Sequence, residues 1–127
     1  MPTRANPCSS SAQTVTLLER TFSRHIFPYT EHRTFTATGP GQICLSITND
    51  DWIKFRRVTN ATVKVDDGTV VAPSEFGSNV TYIEKRKAVT SGNHDLAVKI
   101  NEPLFGYFDL KIKFLPDDTI PPSIQIT

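Results

Sequence analysis

The stretch "DWIKFRR", residues 51–57, carries the single tryptophan of the chain beside three cations. An indole flanked by Lys and Arg can stack on a sugar ring or a nucleobase. Read as a strand, Trp52, Lys54 and Arg56 share one face, which makes them the candidate ligand-binding residues of a carbohydrate platform. The competing reading, in which Trp52 closes one end of a hydrophobic core, is the stronger of the two. Asp66 and Asp67 are candidate calcium ligands, since hard cations take carboxylate and carbonyl oxygens. Such an ion needs about six to eight oxygens, and two adjacent aspartates supply few unless Asp50-Asp51 or Asp117-Asp118 converge with them. Acids before Gly68 are also what a hairpin loop wants. Turn chemistry is therefore preferred, as a three-residue loop with a type I turn and a glycine bulge.

His25, His32 and His94 never approach metal-ligand spacing, and no Cys-x-x-Cys occurs. His94-Asp95 follows the Gly92-Asn93 turn and is expected to be exposed. Cys44 sits mid-strand, without the helix N-terminus or cation cluster that activates a thiol. No Gly-x-Ser-x-Gly elbow appears, and paired carboxylates occur only as loop neighbours. No catalytic residue, metal or cofactor is expected, and the chain is read as a non-enzyme. Cys8 and Cys44 allow one disulfide, closing a loop of about 37 residues worth roughly 4 kcal/mol in the chain-entropy model. Two free thiols are the equal alternative.

The elements that must carry these residues read as strands. "QICLSIT" places Ile43, Leu45 and Ile47 on one face, with Gln42, Cys44, Ser46 and Thr48 on the other. The same period of two puts Ala61, Val63 and Val65 inward, then Leu96, Val98 and Ile100, then Phe108, Leu110, Ile112 and Phe114. "TLLERTFSR" suits either a helical turn or a strand. Gly39-Pro40-Gly41, Asp66-Asp67-Gly68, Ser91-Gly92-Asn93 and Asn101-Glu102-Pro103 punctuate the pattern. Seven to nine short strands follow, predicting an all-β antiparallel sandwich of jelly-roll or immunoglobulin-like kind.

At 127 residues the chain suits one domain. Residues 1–13 read as a polar, flexible lead-in, 14–115 as the sandwich, and 116–127 as a Pro-rich linker or edge strand. A formal charge of +1 gives no field that would argue for nucleic acid or an anionic membrane. The basic run Lys85-Arg86-Lys87 is expected on a solvated face. No apolar run approaches the ~20 residues of a membrane helix. "MPTRANPCSSSAQ" lacks the apolar core of a signal peptide, although "CSSS" resembles the mature end of a bacterial lipoprotein.

Val63 to Gly68, the segment Val71-Ala72-Pro73-Ser74-Glu75-Phe76, Val89, Gly92 and Leu96 to Ile100 together resemble accessory β-sandwich modules of bacterial surface proteins and lipoproteins. More loosely, they are similar to the jelly-roll galactose-binding-like domains attached to glycoside hydrolases. The resemblance covers about residues 57–113; His94 departs from it where Asn is usual. "PPSIQIT" resembles the entry to an immunoglobulin-like repeat. The resemblance implies a non-catalytic interaction module, extracytoplasmic in a bacterium, with a protein or glycan partner and no catalytic residues. The alternatives are a carbohydrate-binding module using Trp52, and a small intracellular protein acting through a homo-oligomer interface.

Overall fold

The structure is a computed structural model and describes residues 6–9, 12–24, 26–50 and 57–117. Its strands are β1 (Val15–Ser23), β2 (Glu31–Ala37), β3 (Gly41–Thr48), β4 (Asn60–Val65), β5 (Gly68–Val71), β6 (Tyr82–Val89), β7 (Gly92–Glu102) and β8 (Tyr107–Pro116). A 3-10 turn, Pro73–Glu75, lies between β5 and β6. Two four-stranded sheets result, ordered β1-β8-β3-β6 and β2-β7-β4-β5, with every pairing antiparallel. Eight strands in this order form a jelly roll rather than the seven-stranded immunoglobulin arrangement. The segment Thr16 to Arg24 that suited helix or strand is extended, and all but Arg24 lies in strand β1. Phe22 sinks into the core while Glu19, Thr21 and Ser23 face water.

The period of two explains the layering. Ile43, Leu45 and Ile47 of β3 and Phe108, Leu110, Ile112 and Phe114 of β8 are buried on one inner face. Ala61, Val63 and Val65 of β4 meet them from the other sheet, with Leu96, Val98 and Ile100 of β7. Each such large side chain removed from water contributes about 1.5–3 kcal/mol. Phe108 stacks on Phe76 from the β5–β6 connection at 5.7 Å between ring centroids. A loop aromatic thereby closes one end of the core.

The register orients the two ends. Ser23 pairs with Tyr107, Thr48 with Tyr82 and Asn60 with Glu102, so these residues share one end. The connections β1–β2, β3–β4, β5–β6 and β7–β8 leave there, each crossing between sheets. At the opposite end Val15 pairs with Phe114 and Gly41 with Pro116, so both strand termini lie there with the short connections. Gly41 is packed so closely that a Cβ would come within 2.4 Å of the Leu115 carbonyl oxygen.

The basic run on β6 does not form one solvated face. Lys85 and Lys87 stand opposite Leu45 and Ile43, on the inward side of an edge strand, while Arg86 stands opposite Cys44 on the outward side. Inward-pointing charges on an edge discourage a second sheet from adding to it. Lys85 is paired there with Glu75 of the 3-10 turn. That hydrogen bond, with the Ala72 N–H, holds the Glu75 carboxyl below its ordinary value against the effect of burial.

Candidate functional site

Alternation that buries Ile43, Leu45 and Ile47 sends Cys44, Ser46 and Thr48 to the outer face of the β1-β8-β3-β6 sheet. Cys44 is nonetheless buried, because Cys8 lies over it and the two sulfurs are bonded, with Cα atoms 5.0 Å apart. The chain at Asn6–Ser9 is tightened by a Ser9 N–H to Asn6 carbonyl bond and by the Asn6 side chain accepting from the Cys8 N–H at 2.8 Å. Glu84 lies close to both sulfurs, the one cluster of ligand-type atoms among the described residues. Its sulfurs are joined to each other, so no thiolate remains there for a metal.

Beyond the disulfide, towards the end where Thr48 meets Tyr82, the same face opens into a cleft of about 570 Å³. Thr21, Ser46, Thr48, Tyr82, Asp109 and Lys111 contribute to its lining. Thr21 donates its hydroxyl to Asp109, and Lys111 reaches Glu19 at 3.7 Å. Tyr82 donates to Glu84 at 3.1 Å and stays half exposed. Burial raises its phenol above the ordinary value, with the Glu84 hydrogen bond and charge adding to the effect and Ser46 opposing it. The lining therefore offers hydroxyls, two carboxylates, two ammonium groups and the Arg20 guanidinium, with one aromatic ring at the edge. Three cations, Arg20, Lys111 and Lys113, face two carboxylates, Glu19 and Asp109, so the cleft carries a small positive excess beside a dense set of donors and acceptors that a polyhydroxyl ligand can use.

Trp52, Lys54 and Arg56 lie outside the described residues, as do His25, Asp51 and Asp118. Asp50 follows β3 at the end where Thr48 pairs with Tyr82. Asp66 and Asp67 lie at the opposite end, so Asp50 does not converge with them. The turn differs from the expected one. Asp66 and Asp67 both take left-handed backbone, with φ of 52° and 69°, and Val65 pairs directly with Gly68. This is a two-residue loop of type I′ pattern, whose twist matches the strands. Aspartate tolerates the left-handed region because its short side chain finds local hydrogen bonds. Gly68 supplies no positive φ.

His94 is buried, not exposed. Its parity on β7 is that of Leu96, Val98 and Ile100, so the period of two already pointed it inward. Its ring stacks on Phe35 at 5.4 Å. Nδ1 lies 2.6 Å from Asp66 Oδ2 and Nε2 lies 2.7 Å from the Thr90 carbonyl. Both ring nitrogens face acceptors, an arrangement only the imidazolium satisfies. The other Asp66 oxygen accepts the Asp95 N–H at 2.9 Å. The hairpin tip is thus latched to β7, and a cation at Asp66 would compete with these donors.

Two opposed shifts accompany the latch. The Asp66 hydrogen bond raises His94 above 6.5, against burial and the Lys87 charge and with help from the Thr90 carbonyl. For Asp66, burial alone would raise the carboxyl, but His94, the Asp95 N–H and Lys87 bring it below 3.8. The His94 contribution is complete below 6.5 and is lost as pH rises through its raised value. The Asp66 contribution is complete above 3.8 and is lost as pH falls through its lowered value. The latch stabilises most between those limits. Urea unfolding should show wild-type stability declining as pH rises above neutrality, while His94→Gln loses most of that slope. Parallel slopes would remove the latch from the account.

No protein-family model matches the chain, and no curated protein sequence matches it either. Among solved structures the chain is similar to the pre-peptidase C-terminal domain of a collagenase from Bacillus anthracis. The TM-score is 0.54 at 16% identity, covering 76% of this chain and 88% of that one. The likeness is one of fold, a bacterial β-sandwich domain. No helix among the described residues is long and apolar enough to cross a membrane.

Proposed function

We propose that this chain is a non-catalytic interaction module of an exported or cell-surface bacterial protein, and that it binds a glycan in the outer cleft of the β1-β8-β3-β6 sheet. The observation that carries the reading is the cleft itself. It is a concave floor of hydroxyl, carboxylate, ammonium and guanidinium groups with the Tyr82 ring at one side. Sugar recognition uses such polar groups for orientation and an aromatic ring for the apolar face of the pyranose.

Other features support the setting. A disulfide persists in oxidising compartments such as the periplasm or the cell exterior. The similar structure is described as a C-terminal domain of a collagenase, which agrees with an accessory role beside another domain. The His94–Asp66 pair sits at the opposite end of the molecule from Thr48 and Tyr82 and is committed to holding a hairpin, so it is no acid–base pair for the cleft.

A glycan array tests the reading. Wild type should bind a restricted set of glycans, and Tyr82→Ala should weaken that binding about tenfold or more, as loss of a stacking ring does. Tyr82 is half exposed on an edge strand, so the variant should fold normally. Wild type that binds no glycan, or Tyr82→Ala that binds as well as wild type, would overturn the assignment.

A further inference from the structure

The end of the sandwich carrying the β1–β2, β3–β4, β5–β6 and β7–β8 connections also carries an unusual share of exposed apolar side chains. Ile26, Phe27 and Tyr29 project from the β1–β2 connection, and Leu104, Phe105 and Tyr107 from the β7–β8 turn and the first residue of β8. Phe27 and Phe105 are 82% and 72% exposed. Among the described residues, Val15 is the one large exposed hydrophobic at the opposite end. Soluble surfaces scatter such residues singly, whereas a concentration of them marks a contact surface.

The two groups form one unit. Arg24 donates its backbone N–H to the Gly106 carbonyl at 2.8 Å. Its guanidinium donates to the carbonyls of Asn101 and Ile26, each at 3.1 Å. The second tip is a tight turn in which the Gly106 N–H reaches the Pro103 carbonyl at 2.9 Å. Phe105 occupies its third position with φ of 69°, where a glycine or asparagine is ordinarily required. A bulky residue held in left-handed backbone, with its ring in water, gains nothing from the core. Such strain at an exposed site points to use.

We infer that these paired tips insert into the interfacial layer of an uncharged, zwitterionic lipid surface. Three features favour lipid over protein. The runs Ile26 to Thr30 and Pro103 to Phe108 contain no charged residue, which suits a neutral headgroup layer, whereas protein interfaces carry a polar rim. The tyrosines stand behind the apolar tips: Tyr29 lines a small crevice of the sandwich body with Phe22, Val98 and Ile100, and Tyr107 pairs with Ser23. Tyrosine favours that depth, with its ring apolar and its hydroxyl wet. Finally, the first residue of β1 and the last residue of β8 lie at the opposite end, so neither strand end crowds the tips.

The test is flotation of the full chain with large unilamellar phosphatidylcholine vesicles. Wild type should float with the vesicles, and about 0.5 M salt should leave this unchanged, because no charge is engaged. Phe27→Ser combined with Phe105→Asn should lower the partition coefficient about tenfold or more. Asparagine suits the left-handed turn, so thermal unfolding should show Phe105→Asn at least as stable as wild type, which separates loss of binding from loss of fold. Three results would each overturn the inference: no flotation of wild type, flotation abolished by salt, or a double variant that floats like wild type. Self-association that the double variant abolishes, without vesicle binding, would make the tips a contact between copies instead. Glycan binding at the cleft is independent of every one of these outcomes.

Discussion

Asn49→Leu is expected to destabilise the domain by about 3–6 kcal/mol, out of the 5–15 kcal/mol that domains usually have. Asn49 follows β3 at the loop-bearing end and is almost fully buried. Its Nδ2 donates to the carbonyls of Val58 at 3.0 Å and Val80 at 2.8 Å, and its Oδ1 accepts the Val58 N–H at 2.8 Å. Its own N–H donates to the Thr81 carbonyl at 2.8 Å. One amide thus ties the chain entering β4 to the chain entering β6, at a point where two connections cross between sheets. Leucine nearly matches its shape but leaves two buried backbone groups of Val58 without partners, each costing about 1–3 kcal/mol, and the part-buried Val80 carbonyl, which costs less. Asn49→Asp keeps the acceptor and turns both donations into repulsions between oxygens. It should recover stability as pH falls and the carboxyl protonates. Urea unfolding reads both. A loss below about 1 kcal/mol for Asn49→Leu would show that water replaces the amide.

The second large effect belongs to the disulfide. Its partners stand 36 positions apart, and closing a loop of that size is worth about 4 kcal/mol in the chain-entropy model. Cys8→Ser with Cys44→Ala should therefore lower the unfolding free energy by about that amount, and so should mild reduction of the wild type. Cys44 gains its burial from the N-terminal segment, not from the core, so the sheets should survive with unchanged circular dichroism. Unfolding curves with and without reductant make the comparison. Coincident curves would mean that the covering segment constrains nothing.

The fold was legible because one face of each strand is buried and the other wet, so Ile43, Val63, Leu96 and Phe108 announced their sides. The same parity placed His94 inward. The turn-side reading of "SGNHD" obscured it, because polar residues at a strand entry look solvated until a distant partner is known. Asp66 is 28 residues away from His94, and only the pairing of β4 with β7 brings them together. The type I′ turn was missed for a related reason. Gly68 attracted the positive φ in the reading, yet the aspartates accept it because His94 and the Asp95 N–H hold Asp66 in place. The cleft was not legible at all. Its residues are mostly ordinary polar positions on four strands, and only the order β1-β8-β3-β6 sets Thr21, Asp109, Thr48 and Tyr82 in one row.

Binding of glycans by wild type, Tyr82→Ala and Trp52→Ala on one array tests the central claim most directly, since each variant removes a different candidate ring. Tyr82→Ala should lose the wild-type glycans while Trp52→Ala retains them. Loss with Trp52→Ala and retention with Tyr82→Ala would show that the Tyr82 cleft is not the binding site, and a wild type that binds nothing on the array would contradict the glycan reading outright.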